Sequence, residues 1–405
     1  MRRATDSEND AQGPRLADRP GLVILGGSCR AAAASAAAAG WAVHAADAFG
    51  DLDLEAIAAT SRRVIGYPEG LEAAAAGFPP GPWCYTGAIE NHPELIDRIA
   101  AVRPLAGNSG ESLRLVRNPL ALARTLAAAG LKYPETFTTP RGLPGDGSFL
   151  RKPLATAGGR GISVWRTDPD DDAAAGDVAG FVWQRRVAGT PMAAVYAVGG
   201  GRQRLLGLSR QLVGEPACRA GEFAYCGSVQ TPAHEVREDL LEQLTRLGET
   251  LAMACGMAGV VAADLMLDVA FGVTVIEVNP RPSGSMELVE RTTGESILAT
   301  HLAAFGWPSP RPPQGVRSGS DVWSKAVLFT PAELHFDDRM LDGILALKAD
   351  WTAADCWPAI ADIPRPGERL RAGGPLLTIF ARGDAPQASR AELDRRIAAV
   401  KMLTG

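Results

Sequence analysis

The sequence predicts a mixed fold, α/β in its first part and α+β beyond it, and three observations carry that reading. Residues 21 to about 110 alternate strand-like and helix-like stretches, as an open α/β layer does. Two strand candidates, residues 260–267 and 273–278, flank the short loop 268–272, as in an antiparallel hairpin. After the proline-rich stretch from Pro308 to Pro313 the character changes, and Asp321 to Phe329 restarts as strand. At 405 residues the chain has room for two or three domains with full cores.

Taken in order, Met1 to Pro20 is polar and charged without an apolar run, so it reads as a disordered tail and neither a signal peptide nor an anchor. The strand ending at Leu25 runs into Gly26-Gly27-Ser28, where the N-terminus of the following helix could receive an anion. Ala31 to Ala39 suits that helix and is far short of the ~20 apolar residues a membrane span requires. A dinucleotide site is the rival reading of these glycines, but G-x-G-x-x-G is incomplete. Asn118 to Gly130 reads as helix with Gly130 as its stop, and Gly145-Asp146-Gly147 as a turn. The run Asp168 to Asp172 is expected to be a solvated loop, and Gly199-Gly200-Gly201 a hairpin tip. Glu238 to Met253 has helical periodicity.

The chemistry concentrates at Glu277-Val278-Asn279-Pro280-Arg281-Pro282. Residues i and i+2 of a strand share a face, so Glu277 and Asn279 point together, with Arg281 at the exit where prolines end the strand. In the hairpin, Asp264 is expected directly opposite Glu277, with Cβ atoms about 4.5–5.5 Å apart. Two carboxylates that close repel unless a cation or proton sits between them. Mg²⁺ is the natural candidate, because it takes a few carboxylates together with phosphate oxygens. Exposed charges on a hairpin, merely solvated, are the plainer alternative.

Upstream, Phe149 to Pro153 is a short strand carrying Lys152 to its end. The glycine-rich turn Gly158-Gly159-Arg160-Gly161 follows, and such a turn lets backbone N–H groups approach phosphate, with the lysine as a point charge beside them. It is not a Walker P-loop, since no G-x-x-x-x-G-K-[ST] occurs.

Lys152 with the Gly158–Gly161 turn, then Phe181 to Gly189, then Asp264 and Glu277 to Arg281, resembles the ATP-grasp superfamily in order and spacing. The likeness is nearest to the ATP-dependent carboligases related to biotin carboxylase, which Val23 to Ala31, Ala46 to Asp51 and Phe223 to Ser228 also resemble. It implies an N-terminal open α/β (pre-ATP-grasp) domain at 21–115 and a two-lobed ATP-grasp domain at 116–308. A small β-rich C-terminal module at 320–405, resembling that of biotin-carboxylase-like enzymes, would carry no catalytic residue. It further implies that Lys152 contacts the α- and β-phosphates of ATP and that Gly158, Gly159, Arg160 and Gly161 fold over them. Gln184, Arg185 and Val187 would belong to the hinge at the adenine. Asp264, Glu277 and Asn279 would hold Mg²⁺, or Mn²⁺ in its place, and Arg281 would stabilise charge on the transferring phosphoryl group and its carboxylate acceptor. Ser283, Gly284 and Ser285 should border the acceptor pocket, with Arg210, Tyr225 and Ser228 as further candidates.

This chain departs from the family pattern in three places. The ribose-binding acid after the hinge has no counterpart in Gly189-Thr190-Pro191-Met192. The early lysine is replaced near Arg117-Asn118-Pro119, so Arg117 or Arg124 is expected to substitute. Ser283-Gly284-Ser285 stands where biotin carboxylases carry the glutamate of bicarbonate chemistry, which argues for another acceptor.

A net charge of −5 and the lack of a basic, aromatic-studded stripe argue against nucleic acid as partner. The six cysteines lack C-x-x-C spacing and read as reduced thiols of a cytoplasmic protein. The five histidines form no H-x-x-H or H-x-x-x-H pair, and no G-x-S-x-G occurs. The expected function is a carboxylate–amine (or thiol) ligase acting through an acyl phosphate, placed by resemblance in the biosynthesis of one-carbon carrier cofactors. Small-molecule carboxylates and amines are the expected partners, and a homodimer is the expected assembly. The alternatives are a nucleotide-binding regulatory protein without ligase activity and an ATP-dependent phosphotransferase.

Overall fold

The computed structural model describes residues 19–166, 178–268, 272–311, 321–352 and 357–405. The tail before Arg19, the Asp168–Asp172 run, the hairpin tip at 269–271, Pro312, Pro313 and Cys356 lie outside the described residues.

The N-terminal part alternates β1 (Gly21–Leu25), α1 (Arg30–Ala38), β2 (Ala42–Asp47), α2 (Leu52–Ile57), β3 (Thr60–Arg63), α3 (Gly70–Ala76) and β4 (Trp83–Tyr85). A single 3₁₀ turn, Ile89–Asn91, then leads to α4 (Pro93–Ala100) and α5 (Gly110–Val116). The four strands are parallel in the order β3-β2-β1-β4. The chain therefore reverses direction of growth between β1 and β4, and the crevice beyond their carboxyl ends is where such sheets bind ligands. The alanines of α1 allow close packing: Ala32, Ala33 and Ala36 are buried against Leu22 and Ile24. The expected anion cradle at the start of this helix is closed. Buried Asp47 accepts there from Cys29 N (2.9 Å), as well as from Phe49 N (3.1 Å) and Gly50 N (2.8 Å). The anion at that position is the protein's own carboxylate.

Next, α6 (Pro119–Ala128) starts where Asn118 accepts from Leu120 N and Ala121 N, with proline in the first turn, and ends before left-handed Gly130. A small sheet follows: β5 (Thr136–Phe137), β6 (Asp146–Pro153), β7 (Ser163–Arg166) and β8 (Phe181–Arg185), in the order β5-β8-β6-β7. Phe149 and Trp183 fill its inner face.

The large sheet begins with β9 (Thr190–Gly199), β10 (Arg202–Val213) and β11 (Tyr225–Thr231), then α7 (Glu238–Met253), and the hairpin β12 (Gly259–Asp268) and β13 (Gly272–Asn279). Leu240, Leu244, Leu247 and Leu251 of α7 recur on one helical face and bury against Met192, Ala194, Tyr196 and Val198 of β9. Helices α8 (Met286–Thr293) and α9 (Ile297–Ala303) pack toward α1 and β12.

The C-terminal part comprises β14 (Val322–Phe329), β15 (Leu334–Phe336), α10 (Asp338–Trp351), β16 (Ile360–Ala361), β17 (Glu368–Leu370), β18 (Pro375–Gly383) and α11 (Pro386–Thr404). Only β15 and β17 pair by themselves; β14, β18 and β16 extend the large sheet, whose order is β13-β12-β9-β10-β11-β14-β18-β16. The C-terminal segment is thus continuous with the central sheet, and its two long helices hold more residues than its five strands. Among the described residues, no helix is long and apolar enough to cross a membrane.

Candidate active site

The β12–β13 hairpin sets the centre of the site, and its register depends on one extra residue. At the loop end Asp268 pairs with Gly272 and Leu265 with Val275, yet Asp264 pairs with Glu277, so Ile276 is a bulge. The bulge changes which side of the strand faces the core. Val273, Val275 and Val278 all join the core beneath α7, whereas regular alternation would have grouped Glu277 with Val273 and Val275. Glu277 and Asn279 consequently face the cleft beside Asp264, and Ile276 lines the cleft too. The opposition of the two carboxylates is as the sequence reading expected. The bulge that produces it was not part of that reading.

Asp264 is held by Gln211 Nε2 (2.8 Å) and Asn279 Nδ2 (3.1 Å). Burial and the neighbouring Glu277 charge raise its pKa to about 6, against the lowering effect of those two amides. Burial opposes ionisation of Glu277 as well, but Arg117 and Lys152 hold its carboxyl below the usual range. Of the two arginines considered for the early-lysine position, Arg117 lies in the cleft: it pairs with Glu277 through Nη1 and donates from Nη2 to Asn91 Oδ1 (2.7 Å). Arg124, on α6, is not among the cleft-lining residues. Lys152 Nζ donates to Gln184 Oε1 (2.9 Å), and burial lowers its pKa while Glu277 and Asp264 work in the other direction.

Arg281 reaches back to the N-terminal layer, where Nη2 and Nε lie 2.5 and 3.1 Å from Glu90 Oε1. The 3₁₀ turn after β4 therefore supplies two consecutive partners, Glu90 for Arg281 and Asn91 for Arg117. Sequence reasoning missed both, as it missed Gln211 and Tyr133, which also line the cleft. The position of Glu90 just past β4, at the carboxyl edge of a parallel sheet, is the signal that could have found it.

One cleft of about 900 Å³ between the small and the large sheet collects these groups. It is lined by Lys152, Gly158, Gly159, Gln184, Arg185, Val187, Tyr225, Asp264, Glu277, Asn279, Arg281, Ser283, Gly284 and Ser285, all of which the sequence reading selected. Four other residues of that selection do not line it. Arg160 and Gly161 sit in the glycine turn, but both positions are exposed to solvent. Arg210 is exposed, because alternation along β10 turns it away from the cleft that the neighbouring Gln211 lines. Ser228 is fully buried behind the wall, its hydroxyl 3.0 Å from that of Tyr225.

The glycine turn is folded down onto the segment before β11: Gly158 O accepts from Tyr225 N (3.2 Å), and Gly159 abuts the carbonyl of Phe223. On the acceptor side, Lys325 of β14 donates to Gly284 O (2.9 Å) and to Glu287 (2.7 Å). Glu287 in turn pairs with buried Arg30, which also holds Asp362 (2.9 Å). The C-terminal segment thus props the 283–285 loop, a contact the sequence reading did not foresee.

The donor set fits a hard cation. Two opposed carboxylates and the Asn279 amide oxygen are oxygen donors, and a guanidinium already approaches one of the carboxylates. Among the described residues no third carboxylate, histidine or cysteine joins them, so phosphate oxygens and water would complete the shell.

Residues 116–285 match the family model of the ATP-grasp domain. No curated protein matches the chain. Among solved structures, an L-amino acid ligase from Bacillus licheniformis aligns over 94% of this chain and 97% of its own, with a TM-score of 0.68 and 16% identity. N5-carboxyaminoimidazole ribonucleotide synthetase from Thermus thermophilus aligns over 95% and 98%, with a TM-score of 0.65 and 18% identity. Biotin carboxylase from Campylobacter jejuni aligns over 94% of each chain, with a TM-score of 0.64 and 13% identity. The fold is the ATP-grasp fold in the arrangement found in these enzymes. Residues 116–285 form its ATP-grasp domain.

Proposed function

We propose that the protein is a Mg-ATP-dependent carboxylate–amine (or thiol) ligase that works through an acyl phosphate. The observation that carries this reading is the convergence of Asp264 opposite Glu277, Lys152 and Arg281 in a single cleft roofed by a glycine turn. A carboxylate is a poor electrophile because its charge repels the attacking group; phosphorylation removes that charge and supplies a leaving group. The protein's part in such a transfer is positioning and charge neutralisation.

Lys152 would hold the phosphates from the small-sheet side, with Gly158 and Gly159 closing over them. Gln184, Arg185 and Val187 would frame the adenine. Asp264, Glu277 and Asn279 would hold Mg²⁺, which would supply positive charge against the phosphates. Arg117 would leave Glu277 for the phosphates as the nucleotide enters. Arg281 would orient the acceptor carboxylate, and Ser283 to Ser285 would border it. Five described cysteines, all free and buried, suit a reducing compartment, and we place the enzyme in the cytoplasm. By the subgroup it resembles, we place the reaction where an amino acid is joined to a one-carbon carrier cofactor.

The test is ADP release with Mg-ATP and a panel of small carboxylates, each with and without pooled amino acids. Release that needs both partners supports the ligase. Release with a carboxylate alone, with a stable phosphorylated product by mass, makes it a phosphotransferase instead. Binding of Mg-ATP without any release sinks the ligase reading in favour of a regulatory binder.

A further inference from the structure

Glu90 is 2% exposed, yet only one of its oxygens is used. Oε1 takes both contacts from Arg281, while Oε2 has no hydrogen-bond partner. Leaving a buried carboxylate oxygen without a donor is costly, so its persistence beside a ligand cleft points to a donor that arrives with the ligand. One further enclosed hydroxyl at the cleft lacks a partner: Ser283, two residues beyond Arg281, lines the cleft and its Oγ makes no hydrogen bond.

Charge decides which donor fits. Among the charged cleft-lining residues that are not exposed, Asp264, Glu277 and Glu90 stand against Arg117, Lys152 and Arg281. The cations are already matched. A substrate carboxylate set beside Arg281 therefore arrives without a counter-charge, and a positive group on Oε2 of Glu90 restores the balance through a charge-assisted hydrogen bond.

We propose that Glu90 Oε2, with the hydroxyl of Ser283, is a subsite for a primary ammonium group. The inference rests on the ligase reading and narrows its substrate class. Two sources supply that chemistry: an amino acid whose own carboxylate lies on Arg281, or the attacking amine, which binds protonated and passes one proton to Glu90 before its lone pair attacks the activated carboxylate and displaces phosphate.

The experiment measures hydroxamate formation with Mg-ATP and hydroxylamine, a nucleophile that is uncharged at neutral pH. Matched pairs differing only in the amino group, glutamate with glutarate and alanine with propionate, test the first source. ADP release with methylamine against hydroxylamine, at a fixed carboxylate, tests the second. We expect a preference for the ammonium-bearing member of about 10- to 100-fold in one arm, the range of a charge-assisted hydrogen bond. Glu90→Gln should bring that ratio to near one, whatever its absolute rate. Should the variant form no product at all, calorimetric titration of the same pairs into protein loaded with Mg²⁺ and a non-hydrolysable ATP analogue gives the ratio as affinities. Product formation with no ammonium preference in either arm, or an unchanged ratio in Glu90→Gln, overturns the subsite alone. No hydroxamate from any pair with the wild-type protein sinks the ligase reading and the subsite with it.

Discussion

The glycine turn offers a matched pair of substitutions whose outcomes should differ for a reason visible in the backbone. Gly158 and Gly159 both have positive φ, +65° and +79°. A Cβ added at Gly158 meets nothing within 4 Å, whereas one at Gly159 would lie 1.9 Å from the carbonyl oxygen of Phe223. An L side chain in the left-handed region costs about 1–2 kcal/mol, and Gly158→Ala should incur that cost alone. Gly159→Ala incurs it too, and the turn must also lift by roughly 1.5 Å to restore ordinary contact. Lifting it breaks the Gly158 O to Tyr225 N bond, worth about another 1 kcal/mol. An open turn relieves both strains, so the cost falls on the closed form that grips nucleotide. Calorimetric titration with Mg-ADP should show a loss of about 10-fold for Gly158→Ala and about 100-fold for Gly159→Ala. Equal losses, or wild-type affinity in Gly159→Ala, would refute the idea that the turn closes on Phe223 when nucleotide is bound.

Glu277→Ala should abolish ADP formation while circular dichroism and unfolding midpoint remain near wild type, since its side chain keeps 38% of its exposure; retained turnover in folded protein removes it from the site. Lys325→Met breaks a buried pair with Glu287 and releases Gly284, and should cost about 3–5 kcal/mol in urea unfolding. Adding Glu287→Gln should recover part of that loss, and strict additivity of the two changes would argue against the pair. His301 is buried, accepts from Val260 N (2.9 Å) and has Nε2 3.0 Å from Ala106 O; burial lowers its pKa from 6.5 to about 4. Its folded value lies below its unfolded value, so its contribution is complete above pH 6.5 and is lost as pH falls toward 4. The loss is about 3 kcal/mol at most. Urea midpoints across that window should fall in the wild type and flatten in His301→Gln, and parallel profiles would contradict this origin.

Local patterns were legible where they needed no distant partner. The leucine spacing of α7, the Asn118-Pro119 start of α6 and the prolines after Asn279 each fix an element through near neighbours. The hairpin itself was legible too, but its loop length alone would set Asp264 against Ile276; the bulge at Ile276 is what brings Glu277 opposite. The bulge behind it is also written in the sequence: apolar residues at 273, 275 and 278 break strict alternation between 275 and 278. Counting alternation over the first half of the strand alone conceals that break. Arg210 failed for a related reason, since a charged residue in a long strand was selected by type while its parity with Gln211 was ignored.

What the sequence could not disclose depends on contacts across large separations. Glu90 is 191 residues from Arg281, and Arg117 is 160 from Glu277. Nothing local distinguishes Glu90 from the chain's other acids, because a carboxylate acquires a role only from the charge set beside it. Once β4 is placed at the turning point of a parallel sheet, however, the residues just beyond its carboxyl end must face whatever domain closes over that edge. The closing domain here brings Arg281 on the end of β13. A cation delivered to a buried edge requires an anion there, so Glu90 and Arg281 are two halves of one requirement. The half-used carboxylate follows from the same geometry: Arg281, arriving from the large sheet, takes Oε1 with both of its contacts and leaves Oε2 enclosed without a partner.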